Sequence, residues 1–146
     1  MTKISIADSN SQVNVAPIAV KLDNMVIESA GLDPDDILKE GEAFDISVDV
    51  HFSGPGAAAL MPLELPIAVT FSAESIGPGP EVTLGKATIK TTCKKNDYTV
   101  TLHVDKNPLS AERVYQLAAT LRVGATNCPA LVNGFIEGGA IEMYNP

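Results

Sequence analysis

The sequence predicts an all-β protein, a Greek-key sandwich of about seven antiparallel strands with one short helix. Apolar and polar residues alternate over several short stretches, which is the pattern of a strand with one buried face. The chain contains 11 glycines and 10 prolines, and many of these residues lie between the alternating stretches, where they mark turns. Short strands separated by turn residues at this spacing are what a β-sandwich requires.

The length of 146 residues fits one domain. Residues 1–16 are polar and poorly patterned, and we predict that they form a flexible N-terminal arm. Residues 17–146 are predicted to form a single β-sandwich domain, because no linker or internal repeat interrupts them.

The first predicted strand covers residues 17–29. Near its middle it changes parity, which means that the apolar side chains switch from even-numbered to odd-numbered positions. Ile18 and Leu22 share one face, whereas Met25 and Ile27 share the other. Such a change within one strand indicates a bulge or a tight turn, here at residues 23–24.

Residues 31–41 read GLDPDDILKEG and are predicted to form the short helix. Asp33 suits the N-cap, Pro34 the first helical position and Gly41 the C-terminal stop. The run DPDD also suggests a calcium loop, but the central glycine and closing glutamate of an EF-hand are missing. Helix capping is therefore the preferred interpretation.

Residues 42–53 alternate most clearly and are predicted to form a central core strand. Residues 67–74 and 81–93 are predicted as the next two strands, the second with a bulge at Gly85 where the parity changes. A hairpin turn over residues 94–97 is expected to lead into the following strand.

Two further strands follow, at residues 98–104 and 115–123, and residues 130–146 supply the last one. Gly138 and Gly139 interrupt this last stretch, so it is either one bulged strand or a small hairpin. The inward faces of the strands are expected to share one core, formed by Phe44, Ile46, Val48, Val50, Tyr98, Val100, Leu102, Tyr115, Leu117 and Leu121.

Leu109 precedes Tyr115 by six residues, at the start of an alternating strand. This spacing resembles the tyrosine corner of immunoglobulin-like and fibronectin-type sandwiches, in which the tyrosine hydroxyl bonds back to the upstream backbone. The resemblance implies an immunoglobulin-like Greek-key topology, with structural roles for Tyr115 and Leu109. It extends to the fold only and names no specific family.

Residues 54–66, GPGAAALMPLELP, are strongly apolar, yet their three prolines exclude a long helix or a central strand. An apolar loop either plugs one end of a sandwich or protrudes as a contact surface. Plugging is the preferred interpretation. If the loop protrudes, the residues expected to bind a partner are Leu60, Met61, Leu63 and Leu65.

Catalytic and cofactor motifs are missing from the sequence, and we predict no enzyme activity and no cofactor. The only histidines in the sequence, His51 and His103, have predicted outward faces. The immunoglobulin-like resemblance implies that their strands are neighbours, with Asp49 and Asp105 nearby, so the two histidines form a weak candidate pair for a surface metal ion. The favoured interpretation is that His51 and His103 are two exposed polar residues that lie on the same face by chance. Metal binding is therefore not expected.

The formal net charge of −8 opposes binding to nucleic acid and to anionic membranes. No apolar run reaches the length of a signal peptide or a membrane span, and cytoplasmic localisation is the expectation. Cys93 and Cys128 are too few for a disulfide scaffold and are interpreted as thiols, although their pairing stays open.

These observations favour a non-enzymatic protein-interaction or assembly module. It would use the apolar loop or an edge strand to bind a protein partner or another copy of itself. The alternative is a carrier of a small apolar ligand, with a pocket between the sheets and Met61, Leu63 and Phe71 near its mouth.

Overall fold

The computed structural model describes residues 17–29 and 37–144, and it contains two β-sheets that enclose one apolar core. Residues 1–16, the predicted arm, lie outside the described part of the chain. The described strands are β1 Ala19–Ser29, β2 Ile37–Lys39, β3 Phe44–Ser53, β4 Pro66–Ser75, β5 Val82–Lys90, β6 Asp97–Val104, β7 Val114–Val123 and β8 Val132–Tyr144. One short helix, α1 Ala57–Leu60, and a 3-10 helix, Met61–Leu63, follow β3.

The three-stranded sheet has the order β1-β3-β6, and the five-stranded sheet has the order β2-β8-β7-β4-β5. All of the pairings are antiparallel except that of β2 with β8, which is parallel. The predicted all-β sandwich is confirmed. So is the predicted pairing of residues 42–53 with residues 98–104, since β3 and β6 are hydrogen-bonded neighbours.

The bulge predicted in the first strand is present, because residues 24 and 25 of β1 together face a single residue of β3. Asn24 has a φ of 52°, in the left-handed region that asparagine tolerates better than most residues. The bulge lets Ile27 point into the core although its parity differs from that of Leu22.

Two further bulges lie where the sequence changes parity. In β5, Leu84 is the extra residue, next to Gly85 with its φ of 149°. In β8, Gly138 and Gly139 both oppose Leu117 of β7. The last strand is therefore one bulged strand and not a hairpin.

The helix predicted over residues 31–41 is wrong at its C-terminal half, because Ile37–Lys39 form strand β2. Leu38 is fully buried, and β2 pairs with the last three residues of β8. This long-range pairing and burial outweigh the local capping preference. Residues 31–36, with the predicted N-cap Asp33, lie outside the described residues.

The hairpin predicted at residues 94–97 is also wrong, because β5 and β6 belong to different sheets. The intervening residues cross from one sheet to the other. The buried Tyr98 fixes this crossing: its hydroxyl accepts a hydrogen bond from the Thr92 N–H at 2.8 Å and donates one to the Lys95 carbonyl at 2.6 Å.

The core lies between the two sheets and includes all ten residues that the sequence assigned to it. Leu102 is half-buried against the others, which are buried. Phe44 and Phe71 are among the largest fully buried side chains and lie on opposite sheets, so the two inner faces interlock.

Candidate functional site

The large apolar side chains of the loop at residues 54–66 mostly pack inward. Met61 is 1% exposed, and its sulfur lies 3.3 Å from the Tyr98 hydroxyl oxygen. Leu60 and Leu65 are half-buried against the core, and only Leu63, at 59%, is exposed. The four residues proposed as one contact surface therefore do not form one. The short helical turns direct Leu60 and Met61 toward the core, and Leu65 packs against it from the residues that lead into β4.

The two histidines are not brought together. His51 lies opposite Asp97 near one end of the β3–β6 pair, and His103 lies opposite Asp45 at the other end. Six residue steps along a strand correspond to about 20 Å. The candidate metal pair is therefore wrong as a pair, because the strands are neighbours but the register separates the two side chains.

Each histidine instead contacts aspartates on the outer face of the three-stranded sheet. His51 and three aspartates form what we call the aspartate–histidine cluster: Asp23, Asp49, His51 and Asp97. The Nε2 atom of His51 is 2.9 Å from Asp23 Oδ1, and its Nδ1 atom is 2.8 Å from Asp97 Oδ1. One imidazole ring thus bridges carboxylates from the two edge strands, β1 and β6.

Asp49 is held in this cluster by two donors. The side-chain amide of Asn24 donates to Asp49 Oδ2 at 3.1 Å, and the Thr99 hydroxyl donates to Asp49 Oδ1 at 2.7 Å. Asn24 can reach Asp49 because it occupies the β1 bulge, which turns its side chain toward β3.

The aspartates raise the pKa of His51 above its ordinary value of 6.5. The hydrogen bond to Asp97 is the largest cause, followed by the bond to Asp23, since both carboxylates favour the charged imidazolium. Lys21 adds a further positive charge, with its ammonium 3.7 Å from Asp23 Oδ2.

Asp23, Asp49 and His51 each place one potential ligand atom within 4.8 Å of the others. Sequence reasoning selected His51 but missed its neighbours Asp23 and Asp97. The parity change at residues 23–24 was the available signal, since a bulge redirects the polar side chains beside it.

A groove of about 520 Å³ lies on the outer face of the five-stranded sheet. Two cations, Lys86 and Arg122, lie among its lining residues, and none of the described lining residues is acidic. The remainder of the lining is mostly polar and includes Thr70, Thr88, Thr120 and Asn133. The groove therefore presents a polar, positively charged surface on a chain whose net charge is −8.

Arg122 has a structural role in this groove. Its guanidinium donates to the carbonyl oxygens of Gly124, Ala125 and Cys128 and so fixes the loop that follows β7. With these donors engaged, Arg122 has less capacity to bind a ligand directly.

Over most of its length, the side of β8 that faces away from β7 has no strand partner among the described residues. Strand β2 pairs only with the end of β8, and within residues 17–29 and 37–144 no strand pairs with the open side of residues 132–141. Phe135 on this strand is 60% exposed, and Leu131 just before it is 57% exposed. An unpaired strand edge with exposed apolar side chains is a common site of strand addition.

Tyr115 is 2% exposed, and its hydroxyl accepts a hydrogen bond from the Ser110 N–H at 3.0 Å. Leu109 beside it is also buried. Cys93 and Cys128 are both exposed and free. None of these residues belongs to the aspartate–histidine cluster.

No protein-family model matches the chain, and no curated protein matches it in sequence. Among solved structures, a β-glucosidase from Listeria innocua is 8% identical with a TM-score of 0.42, over 88% of this chain and 16% of that chain. The fimbrial subunit AggA from Escherichia coli is 11% identical with a TM-score of 0.37, over 92% of this chain and 98% of that chain.

The sporulation control protein Spo0M from Bacillus subtilis is 12% identical with a TM-score of 0.36, over 90% of this chain and 50% of that chain. Similarities at this level carry no argument about activity or partners. No helix in the described ranges is long and apolar enough to cross a membrane.

Proposed function

We propose that the protein is a non-enzymatic interaction or assembly module whose contact is the open edge of β8. The observation that carries the proposal is that no strand of residues 17–29 and 37–144 pairs with this side of residues 132–141, next to the exposed Phe135 and Leu131. An added strand would pair with the backbone groups of this edge, and the two apolar side chains would anchor it. The apolar loop contributes little, because Leu63 is the only one of its large apolar side chains that is exposed.

The occupant we favour is a second copy of this chain, paired antiparallel through β8. Such a contact is the same patch on both copies and closes as a symmetric dimer. The net charge of −8 on each copy opposes association, so we expect the dimer to be favoured by salt that screens this repulsion. A separate protein partner would use the same edge.

We also propose that the sandwich is immunoglobulin-like. In support, the order β1-β3-β6 corresponds to strands A-B-E of that fold, and β8-β7-β4 corresponds to G-F-C. The Tyr115 hydroxyl at the start of β7 bonds back to the upstream backbone, as a tyrosine corner does.

A cytoplasmic location belongs to the same proposal. Its support is that Cys93 and Cys128 are exposed and unpaired, which suits a reducing compartment. The alternative function, a carrier of a small apolar ligand, has less support, because Met61 and Phe71 are buried in the core and the described groove on the five-stranded sheet is polar.

Sedimentation velocity over a range of protein concentrations, at low and moderate salt, tests the proposal. We expect the parent to dimerise and Phe135→Asp to shift it to monomer, because a charge on the edge opposes strand addition. Ile76→Asp is the matched control, since Ile76 is 59% exposed but lies outside β8. Amide hydrogen exchange should slow in residues 132–141 as the dimer forms.

A parent that stays monomeric with unprotected edge amides would contradict self-assembly through β8. Dimerisation that Phe135→Asp leaves intact, or that Ile76→Asp abolishes equally, would place the interface elsewhere. Thermal melts of both variants should match the parent, because each replaced side chain is exposed.

A further inference from the structure

The aspartate–histidine cluster has a donor set that suits a metal ion. Its potential ligand atoms come from Asp23, Asp49 and His51 and lie within 4.8 Å of one another. Two ligands of a tetrahedral zinc ion lie roughly 3.3 Å apart, given bond lengths of about 2.0–2.2 Å. Small rotations of three partly exposed side chains would therefore close the site.

Asp97 orients the imidazole for this role. Its Oδ1 atom is 2.8 Å from the Nδ1 atom of His51, and Asp23 Oδ1 is 2.9 Å from the Nε2 atom. If a metal ion took the place of the Nε2 proton, Nδ1–H would keep its bond to Asp97 and the Nε2 lone pair would face the ion. A carboxylate on the outer nitrogen is the usual second partner of a metal-binding histidine, because it fixes the tautomer and the orientation of the ring.

Strand register adds an independent argument. Asp23 and Asp49 are directly opposite in the β1–β3 pair. Like charges at directly opposite positions of two strands repel. The His51 imidazole and the Lys21 ammonium offset part of this repulsion beside Asp23, and a divalent cation between the two carboxylates would offset it more fully. The carboxylate of Asp49 is also held by Asn24 and Thr99, so it does not turn away into solvent.

We propose that Asp23, Asp49 and His51 bind one divalent transition-metal ion of the Zn²⁺ type, with Asp97 orienting His51. One imidazole and two carboxylates suit such ions, whereas Ca²⁺ and Mg²⁺ prefer oxygen ligands alone. Three protein ligands leave an open position for water or for a donor group from another molecule. The site lies on the three-stranded sheet, so it is independent of the contact proposed for β8.

Zn²⁺ binding to the untagged full chain, stripped of metal with a chelator, tests the proposal by titration calorimetry. We expect one Zn²⁺ per chain. His51→Gln should abolish this binding, and Asp97→Asn should weaken it on the order of 10- to 100-fold, the usual cost of losing an orienting partner.

His103→Gln is the matched control. His103 lies on the same sheet with its Nδ1 atom 2.6 Å from Asp45 Oδ1, but only Asp105, at 3.9 Å, approaches its other nitrogen. We expect this variant to bind Zn²⁺ as the parent does. The chain has only two histidines, so ¹⁵N spectra of the imidazoles resolve them directly. Zn²⁺ should shift the Nε2 signal of His51 and leave His103 unchanged.

The proposal would be overturned by the absence of Zn²⁺ binding to the parent, by binding that His51→Gln leaves intact, or by a shift of both imidazoles to the same extent. Because the His51 side chain is on the protein surface, His51→Gln is expected to fold, and a melt of the variant verifies this. An imidazole spectrum of His51 that does not change at saturating Zn²⁺ would also overturn the proposal, because it would show that the cluster binds a proton but no metal ion.

Discussion

The hydroxyl of Tyr98 donates a hydrogen bond to the carbonyl of Lys95 at 2.6 Å, and this contact fixes the crossing between the two sheets. The same hydroxyl accepts the Thr92 N–H at 2.8 Å, so one buried oxygen joins both ends of the segment. Tyr115 has the simpler arrangement, since its hydroxyl accepts only the Ser110 N–H among the hydrogen bonds found in the described residues.

This difference predicts that Tyr98→Phe costs more stability than Tyr115→Phe. Tyr115→Phe removes one hydrogen bond, and we expect a loss of roughly 0.5–1.5 kcal/mol. Tyr98→Phe removes at least two and leaves the Thr92 N–H without its partner, so its loss should be clearly larger. Urea unfolding of both variants measures this, and equal losses would show that the crossing does not depend on Tyr98.

Truncating a buried core side chain should destabilise the fold, whichever of the two sheets carries that side chain. Val48 and Leu117 lie on different sheets and are 0% and 3% exposed. We expect Val48→Ala and Leu117→Ala each to cost about 1–4 kcal/mol through lost burial and the cavity left behind. Chemical denaturation checks this, with Thr120→Ala, at an exposed position of β7, as the control. Unchanged unfolding midpoints would contradict the assignment of faces.

The apolar loop should behave as a plug. Met61→Ala is expected to cost about 2–5 kcal/mol, because the side chain is 1% exposed and its sulfur contacts the Tyr98 hydroxyl. Leu63→Ser, two residues away and 59% exposed, should change the stability by less than about 0.5 kcal/mol. In the double variant Leu60→Ser/Leu63→Ser, the loss should come from Leu60. Equal effects of Met61→Ala and Leu63→Ser on the melting temperature would exclude this interpretation.

The pKa of His51 should lie above 6.5 in metal-free protein, and Asp97→Asn should lower it, because Asp97 is the largest cause of the shift. A pKa raised by folding stabilises the native state below the unfolded value. That contribution is lost as the pH rises through the folded pKa. His51→Gln should therefore reduce stability at acidic pH and have little effect at alkaline pH. Imidazole NMR titration and denaturation at both pH values, in chelator, measure these effects.

The opposite pH trend, or a pKa of His51 that Asp97→Asn does not change, would show that the two side chains do not interact in solution. His103 serves as the internal reference, since its signal is not expected to respond to Asp97→Asn: it lies at the other end of the strand pair.

The sequence by itself determined seven of the eight described strands, the shared core and the positions of two bulges. Each of these follows from which side chains alternate along one strand, and that information is local. The parity changes at residues 23–24 and at Gly85 were sufficient to locate two bulges before any pairing was known. The two glycines of the last strand left a bulge or a hairpin open, and the pairing of β7 with β8 decided between them.

Only the tertiary structure decided what depends on pairing between distant segments. Local capping favoured a helix at residues 37–39, but burial of Leu38 beside β8 made them a strand. The sequence placed His51 and His103 on neighbouring strands, yet the register put Asp97 beside His51. The candidate site exists because β1, β3 and β6 meet in one register, and local alternation does not specify that register when the outer face is polar on every strand.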